Sequence, residues 1–375
     1  MFFDNASTTK VDDYIISGLE KFNNEHFYNP GGLYSKGRES RDFLDNARKR
    51  ILTALNADGQ IIFVGSATEG NNLALFGAVK KQFKKILVSQ GEHPSVYNSA
   101  LELIQRGYNV EFVNLLKDGT ADFDDFKNKM TEDVAFVSIM HVSNETGAIN
   151  DIASFVDYAK DINPNVIFHC DGVQAVGKIP VNIDELGVDL YTMSAHKIHG
   201  FKGVGALFVN NKIKLKPIVF GGGQEGGLRS GTENLLGIYS LVEAVENSVC
   251  NQLKNYDYVR LLRDRFISGI ADTNLDYIVH SDNASSPYIV SISFVGCRAE
   301  TILNKLSDKG VYIGNGSACS SKKSGNRVLD NMGVSKAEIE SNLRISFSKN
   351  NTIEEVDKLI IELSLAVRDY LIKVS

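Results

Sequence analysis

Between about residues 60 and 210 the chain repeats one rhythm, a short β-branched run, a turn, then a longer amphipathic stretch. That alternation is the mark of βα units, in which each strand is joined to a parallel neighbour through a helix. The strands it predicts are IIFV (61–64), KILVS (85–89), VEFVNL (110–115), VAFVSIM (134–140), VIFHCD (166–171), DLYTMS (189–194) and GALFVN (205–210). Several are apolar throughout, as strands covered by helices on both faces must be. The expectation is an α/β fold with a large domain over residues 15–250, a mostly parallel seven-stranded sheet between helices. In such sheets ligands gather beyond the carboxyl ends of the strands, so polar residues just after strands carry most weight.

After about residue 250 the texture changes to a long helical stretch, a strand YIVSISF (288–294), a helix over 298–309 and a strand NLRISF (342–347). These predict a smaller α+β domain formed by residues 1–14 and 251–375. Its last helix opens with a capping box, Thr352 with Glu355, and repeats apolar residues at helical spacing from Ile353 to Leu371.

Composition removes several functions. Forty Lys+Arg against 46 Asp+Glu leave a net charge of −6, so there is no basic field for a nucleic-acid backbone or an anionic bilayer. Neither direct nucleic acid nor a membrane is an expected partner. The opening MFFDNASTTK places Asp4 where a secretory signal would carry basic residues, and the expected location is cytoplasmic. Cys170, Cys250, Cys297 and Cys319 are widely spread with no CxxC pair, so no metal site is expected. A P-loop is absent. The glycine-rich FGGGQEGGLRSG (220–231) lacks the strand-before, helix-after setting of a dinucleotide fingerprint, which counts against a nicotinamide-dependent oxidoreductase.

The most informative stretch is SAHKIHGFKGVG (194–205), directly after a predicted strand. A lysine at that sheet edge, among small residues and glycines, can reach a carbonyl cofactor and form a Schiff base. Alone, Lys197 would read as a surface lysine. Asp171 ends VIFHCD and Gln174 follows. A carboxylate there can pair with a protonated pyridine nitrogen or simply cap the next helix, and Gln174 can bond a ring phenolic oxygen or be solvated. SATEG (66–70) opens a helix expected to run to about residue 83. Its free N–H groups and the Thr68 hydroxyl suit a phosphate, while Ser66 or Thr68 can equally be an N-cap. His93, in GEHPSV, lies at the same sheet edge, where an imidazole can stack on a flat ring and relay protons or be structural.

Taken together these residues resemble the fold-type-I pyridoxal phosphate enzymes of the class V aminotransferase group, and more narrowly the cysteine desulfurases of the NifS/IscS kind. The similarity runs through DNASTT (4–9), YNPGGLYSKG (28–37), SATEGNNLAL (66–75), EHPSV (92–96), MHVSNETG (140–147), HCDGVQAVGK (169–178), SAHKIHGFKGVGAL (194–207), GGGQEGGLRSGTEN (221–234) and GSACSS (316–321). The ordered set is far more specific than any one motif.

The resemblance implies pyridoxal 5'-phosphate as cofactor, Lys197 as its Schiff-base lysine, Asp171 as pyridinium partner, Gln174 as donor to the phenolic oxygen and His93 as stacking acid/base. It implies that Ala67, Thr68, Ser194 and His196 hold the phosphate, with Thr232 contributing to the neighbouring subunit's site in a homodimer. Asn144 and Arg344 would receive the carboxylate of L-cysteine, for which a planar guanidinium is suited. Cys319 lies in GNGSACSSKKSG (314–325), a small polar segment suited to a thiol that attacks substrate sulfur and carries the persulfide outward. The other cysteines are expected to be buried and inert. The implied activity is a cysteine desulfurase that yields L-alanine and passes sulfur to a protein acceptor, in tRNA thiolation or iron-sulfur cluster assembly. A selenocysteine lyase or a class V aminotransferase is the alternative. One departure stands out: Phe201 occupies a place where these enzymes usually have proline.

Overall fold

The computed structural model describes residues 1–80, 82–315 and 326–374. Strand β1 (Phe2–Phe3) precedes the seven predicted strands, which form as β2 (Gly59–Val64), β3 (Lys85–Ser89), β4 (Val110–Val113), β5 (Val134–Ser138), β6 (Ile167–Asp171), β7 (Leu190–Ser194) and β8 (Gly205–Asn210). They make one sheet in the order β2-β8-β7-β6-β5-β3-β4. Only β8 runs against its neighbours, antiparallel to both β2 and β7. The remaining pairs are parallel, so β2 to β7 all point their carboxyl ends toward one edge.

Alternate residues of each strand feed opposite faces. Phe63, Val137, Phe168, Tyr191 and Phe208 pack with Leu44 and Ile51 of helix Ser35–Ala54 and Leu241 and Val245 of helix Leu235–Cys250. Ile62, Val88, Phe136 and Leu207 pack on the other side with Leu73 and Leu75 of helix Ala67–Ala78 and Val96 and Leu103 of helix Pro94–Gln105. Both faces are therefore dry, which is why these strands read as nearly unbroken apolar runs.

The rest of the chain adds β9 (Ile278–Val279), β10 (Ile289–Ser293), β11 (Tyr312–Ile313) and β12 (Asn342–Ser346). Strands β12-β10-β9 form an antiparallel sheet, and β1 pairs in parallel with β11. Phe3 and Ala6 join Phe266, Val290, Ile292, Leu343, Ile345 and Leu359 in a second hydrophobic cluster, so the first residues pack with the last hundred or so. The closing helix, Ile353–Val374, starts at the predicted capping box: Thr352 N donates to Glu355 Oε2 at 3.3 Å, and Glu355 N donates to Thr352 Oγ1 at 3.2 Å.

Three expectations are corrected. The helix after Ser66 stops at Ala78, short of residue 83, because Val79 is extended and the Gly77 carbonyl accepts from Lys216 N at 2.9 Å. A Cβ at Gly77 would stand 2.8 Å from the Lys216 carbonyl oxygen, so this crossing needs the glycine. Strands β4 and β5 end earlier than predicted, since apolar character continues into the loops beyond them. Cys250 is exposed rather than buried, because it closes its helix at the surface; Cys170 and Cys297 are buried as expected.

Candidate active site

Beyond the carboxyl edge lies a cavity of about 290 Å³ that gathers Ala67, Thr68, His93, Asn144, Asp171, Gln174, His196, Lys197 and Arg344. Strand β6 delivers Asp171 as its last residue, and the turn after β7 delivers His196 and Lys197. His93 follows β3 as N-cap of its helix. Asp4, Ala6 and Ser7, from the first residues of the chain, complete a wall.

Ser66, not Thr68, is the N-cap of helix Ala67–Ala78, its Oγ accepting from Glu69 N at 3.2 Å. That leaves the first helical amides at the cavity, with the positive end of the helix dipole behind them. Gly205 of β8 sits opposite Ser194, and a Cβ there would come within 3.2 Å of Ala67 N. Ser194 is therefore held beside this helix start; its hydroxyl is buried and has no hydrogen-bond partner among the described residues. His196 Nδ1 lies 3.2 Å from Thr8 Oγ1, and burial followed by the charge of Lys197 pulls its pKa down to about 4. The ring is neutral at physiological pH.

Asp171 is fixed at both oxygens. Oδ1 accepts from Val173 N at 3.0 Å, the local capping bond, while Oδ2 accepts from Asn71 Nδ2 at 2.8 Å. The same Asn71 amide group donates to Ser95 Oγ at 2.8 Å, and Ser95 Oγ is 2.8 Å from His93 Nδ1. His93 Nδ1 also accepts from Ser95 N at 3.1 Å, so the neutral ring carries its proton on Nε2. Burial lowers the His93 pKa and favours that neutral form.

Lys197 Nζ donates to the carbonyls of Ala6 at 2.6 Å and Ser7 at 2.7 Å. Gln174 Nε2 donates to the same Ala6 carbonyl at 2.9 Å. Arg344 is 7% exposed, and it donates through Nη1 to the Asn144 carbonyl at 2.9 Å and through Nη2 to Asp4 Oδ1 at 3.0 Å. Its Nε is buried with no partner among the described residues. The guanidinium thus has one face committed to an internal carboxylate and a donor still to be satisfied.

Of the predicted residues that the structure describes, Ser194 and Thr232 do not line this cavity. Thr232 is exposed and lines a separate cavity of about 190 Å³ with Gly65, Gly203 and Arg229. Cys319 lies outside the described residues. Sequence reasoning missed Asn71, Asp4, Glu145, Lys178 and Glu92. All five lie inside the motifs named above, and Asn71 follows Ala67 by one turn of the same helix, the one spacing signal available. Glu145 lines the cavity beside Arg344, accepts from Asn326 Nδ2 at 3.2 Å, and burial raises its pKa.

Residues 1–359 match the aminotransferase class-V family. The chain belongs to that family. This class V chain is 36% identical over 364 residues to cysteine desulfurase IscS 1 of Archaeoglobus fulgidus, covering 96% of this chain and 94% of that protein. It is 33% identical over 368 residues to cysteine desulfurase IscS of Clostridium botulinum strain Hall, covering 96% and 92%. A solved NifS-like protein superimposes with a TM-score of 0.92 at 32% identity, covering 98% of this chain and 99% of that one. SspA, solved in complex with cysteine, gives a TM-score of 0.81 at 26% identity, covering 94% and 99%.

Class V enzymes of this kind depend on pyridoxal 5'-phosphate, and the residues present fit that group. An orphaned Ser194 hydroxyl and open helix amides suit a phosphate, a fixed carboxylate suits a pyridinium, and a primary amine lies in the same cavity.

Proposed function

We propose that this class V chain is a cysteine desulfurase that takes sulfur from L-cysteine, leaving L-alanine and a persulfide on Cys319. The observation that carries the reading is the convergence of Lys197, Asp171, His93 and Arg344 in one cavity of a chain similar to named desulfurases along almost its whole length.

Ala67, Thr68, Ser194 and His196 would hold the coenzyme phosphate, and Asp171, kept in place by Asn71 and the Val173 amide, would pair with the pyridine nitrogen. When bound, pyridoxal phosphate supplies an electron-withdrawing ring that stabilises negative charge at the substrate α-carbon. Gln174 would donate to the ring's phenolic oxygen, and neutral His93 would stack on the ring with a proton available on Nε2. Arg344 and Asn144 bind the substrate carboxylate, which fixes the α-carbon against Lys197. The Lys197 amine takes the α-proton and returns a proton as alanine forms. The Cys319 thiolate attacks the substrate sulfur: an S–S bond forms, the substrate C–S bond breaks, and the electron pair left on carbon is protonated. L-cysteine plus one enzyme thiol thus gives L-alanine plus one persulfide, with no outside oxidant or reductant.

The same reading includes a homodimer in which Thr232 serves the neighbouring subunit's phosphate site; its exposure away from its own chain's cavity supports this. It also includes a large unit at 15–250 and a smaller one at 1–14 and 251–375, a cytoplasmic location, and a protein sulfur acceptor in tRNA thiolation or iron-sulfur cluster assembly. No helix among the described residues is long and apolar enough to cross a membrane.

The deciding experiment incubates the purified protein with L-cysteine and a thiol reductant and measures alanine and sulfide. Cys319→Ala is expected to keep the coenzyme's visible absorbance while making almost no alanine. Undiminished turnover in that variant, or equal rates with selenocysteine or keto acids, would favour a lyase or aminotransferase instead.

A further inference from the structure

Lys178 is not used by the chemistry above, yet it is 7% exposed and lies against the site. Among the described residues no carboxylate lies within ion-pair distance of it. The electron-rich face of the Tyr288 ring lies near it, 5.7 Å from Nζ to the centroid. A lysine buried without a carboxylate is costly to keep, so its hydrogen bond should matter. That bond is specific: Nζ donates to Gln174 Oε1 at 2.6 Å.

The Gln174 amide is consequently locked between two unlike partners. On one side the Ala6 carbonyl can only accept, which puts Nε2 there, at 2.9 Å. On the other the Lys178 amine donates, which puts Oε1 there. The amide cannot flip without losing both bonds and facing oxygen to oxygen at Ala6. Its second N–H stays on the nitrogen side, and Gln174 lines the cavity together with Asp171 and Lys197. The Ala6 carbonyl also receives Lys197 Nζ at 2.6 Å, so one run of hydrogen bonds joins Lys178, Gln174, Ala6 and Lys197. Glycine shapes the turn that permits it. Gly177, with φ of +69°, takes a conformation that side chains disfavour, and a Cβ there would strike Ser248 at 2.4 Å. Burial, with the nearby charges of Lys197 and Arg344, brings the Lys178 pKa down to about 7, which reduces the cost of keeping the amine inside.

We propose that Lys178 is a positioning residue for the pyridoxal phosphate site, acting through Gln174 by holding its amide nitrogen toward the cavity. The inference rests on the coenzyme reading of the cavity but not on which amino acid is the substrate.

A double-mutant cycle tests it, with Lys178→Met, Gln174→Ala and the pair. Two readouts are taken: the dissociation constant of pyridoxal phosphate titrated into apoprotein, and the midpoint pH of the bound coenzyme's visible band. Each single variant is expected to weaken coenzyme binding about tenfold and to move the band midpoint in the same direction. The double variant should be no worse than Gln174→Ala alone, because residues acting in series are not additive. If the two losses add, or if Lys178→Met moves thermal stability but neither coenzyme readout, Lys178 is only a packed core residue and the proposal fails. If Lys178→Met does not give folded protein, Lys178→Gln, one atom too short to reach Gln174, takes its place in the cycle with the same expectations. Wild-type protein that takes up no coenzyme overturns the cavity reading itself, and this inference with it. Wild type that binds coenzyme but makes no alanine overturns the desulfurase reading alone.

Discussion

Gly314→Ala tests the proposed substrate clamp without touching the coenzyme residues. Gly314 and Arg344 exchange two backbone hydrogen bonds of 2.9 Å, so the new Cβ position is fixed by the Arg344 backbone. That Cβ would stand 2.5 Å from Asp4 Oδ1 and 3.1 Å from both Arg344 Nε and Nη2. The closest approach is nearly 1 Å inside ordinary van der Waals contact at 3.4 Å or more. Gly314 does not have a positive φ, so alanine adds a steric effect rather than backbone strain. Either the Asp4 carboxylate or the Arg344 guanidinium must move, and the 3.0 Å pair between them opens. Overpacking of this kind costs about 1–3 kcal/mol. Applied to the position of Arg344, that is roughly a 5- to 150-fold loss in kcat/KM. Steady-state alanine formation from L-cysteine is the assay. The loss is expected mainly in KM, with pyridoxal phosphate affinity within about twofold of wild type. A normal KM with reduced kcat, or a loss of coenzyme, would refute the assignment of Arg344 to the substrate carboxylate.

Asn71→Ala removes the 2.8 Å bond that fixes Asp171 Oδ2; a hydrogen bond to a charged group is worth about 1.5–3 kcal/mol, so pyridoxal phosphate affinity should fall by tenfold or more in an apoprotein titration. Phe201→Pro deletes the N–H that donates to buried Ser240 Oγ at 2.7 Å, and thermal denaturation should show a loss that Ser240→Ala partly restores. Glu92 has one oxygen bonded to Met140 N at 2.6 Å, while the other has no partner among the described residues; burial, with Asp171 nearby, raises its pKa to about 8. A carboxyl raised on folding holds its proton longer in the native state, so its stability contribution is intact at low pH and falls as pH climbs from the unfolded value through about 8. Glu92→Gln should flatten that part of a melting-temperature-against-pH curve, and an unchanged slope would show that Glu92 is not its source.

The strands were legible because their physics is local. Alternate residues of 61–64 go to opposite faces, and both faces are covered, so an apolar run bounded by turns is enough to find them. The residues at their carboxyl ends were legible for the same reason, since topology alone carries Asp171, His93 and Lys197 to one edge. What sequence could not show is the partner of each side chain. The Asp4 to Arg344 pair spans 340 positions, and the Gln174 to Ala6 bond spans 168. No periodicity reports such contacts. Strand β1 escaped because two residues carry no pattern, yet it is what brings Ala6 and Ser7 against Lys197. Phe201 shows the opposite case. It stood out in the sequence as a departure, and the structure supplies its cause, a serine acceptor at residue 240 that proline could not use.

The charge balance of the cavity follows from burial rather than from counting residues. Lys197 and Arg344 line it beside Asp4, Glu145 and Asp171, which on paper is an acidic site hostile to a phosphate and a carboxylate. Desolvation raises the pKa of Glu145, and Asp4 is spent on one face of Arg344. Behind the wall, Glu92 is pushed up to about 8 and is mostly neutral at physiological pH. His196, drawn down to about 4, offers a neutral N–H in place of a cation. Asp171 is held by two hydrogen bonds from neutral donors, Asn71 Nδ2 and the Val173 amide, and in the proposed site it is the carboxylate assigned to the pyridinium. The helix amides at Ala67 and Thr68 and the open Nε of Arg344 remain to receive anions. A site that is to bind two anions and one cation, as proposed, needs this separation. The sheet edge supplies it by setting the proposed phosphate site at the start of one helix and the proposed carboxylate site against the small sheet's β12.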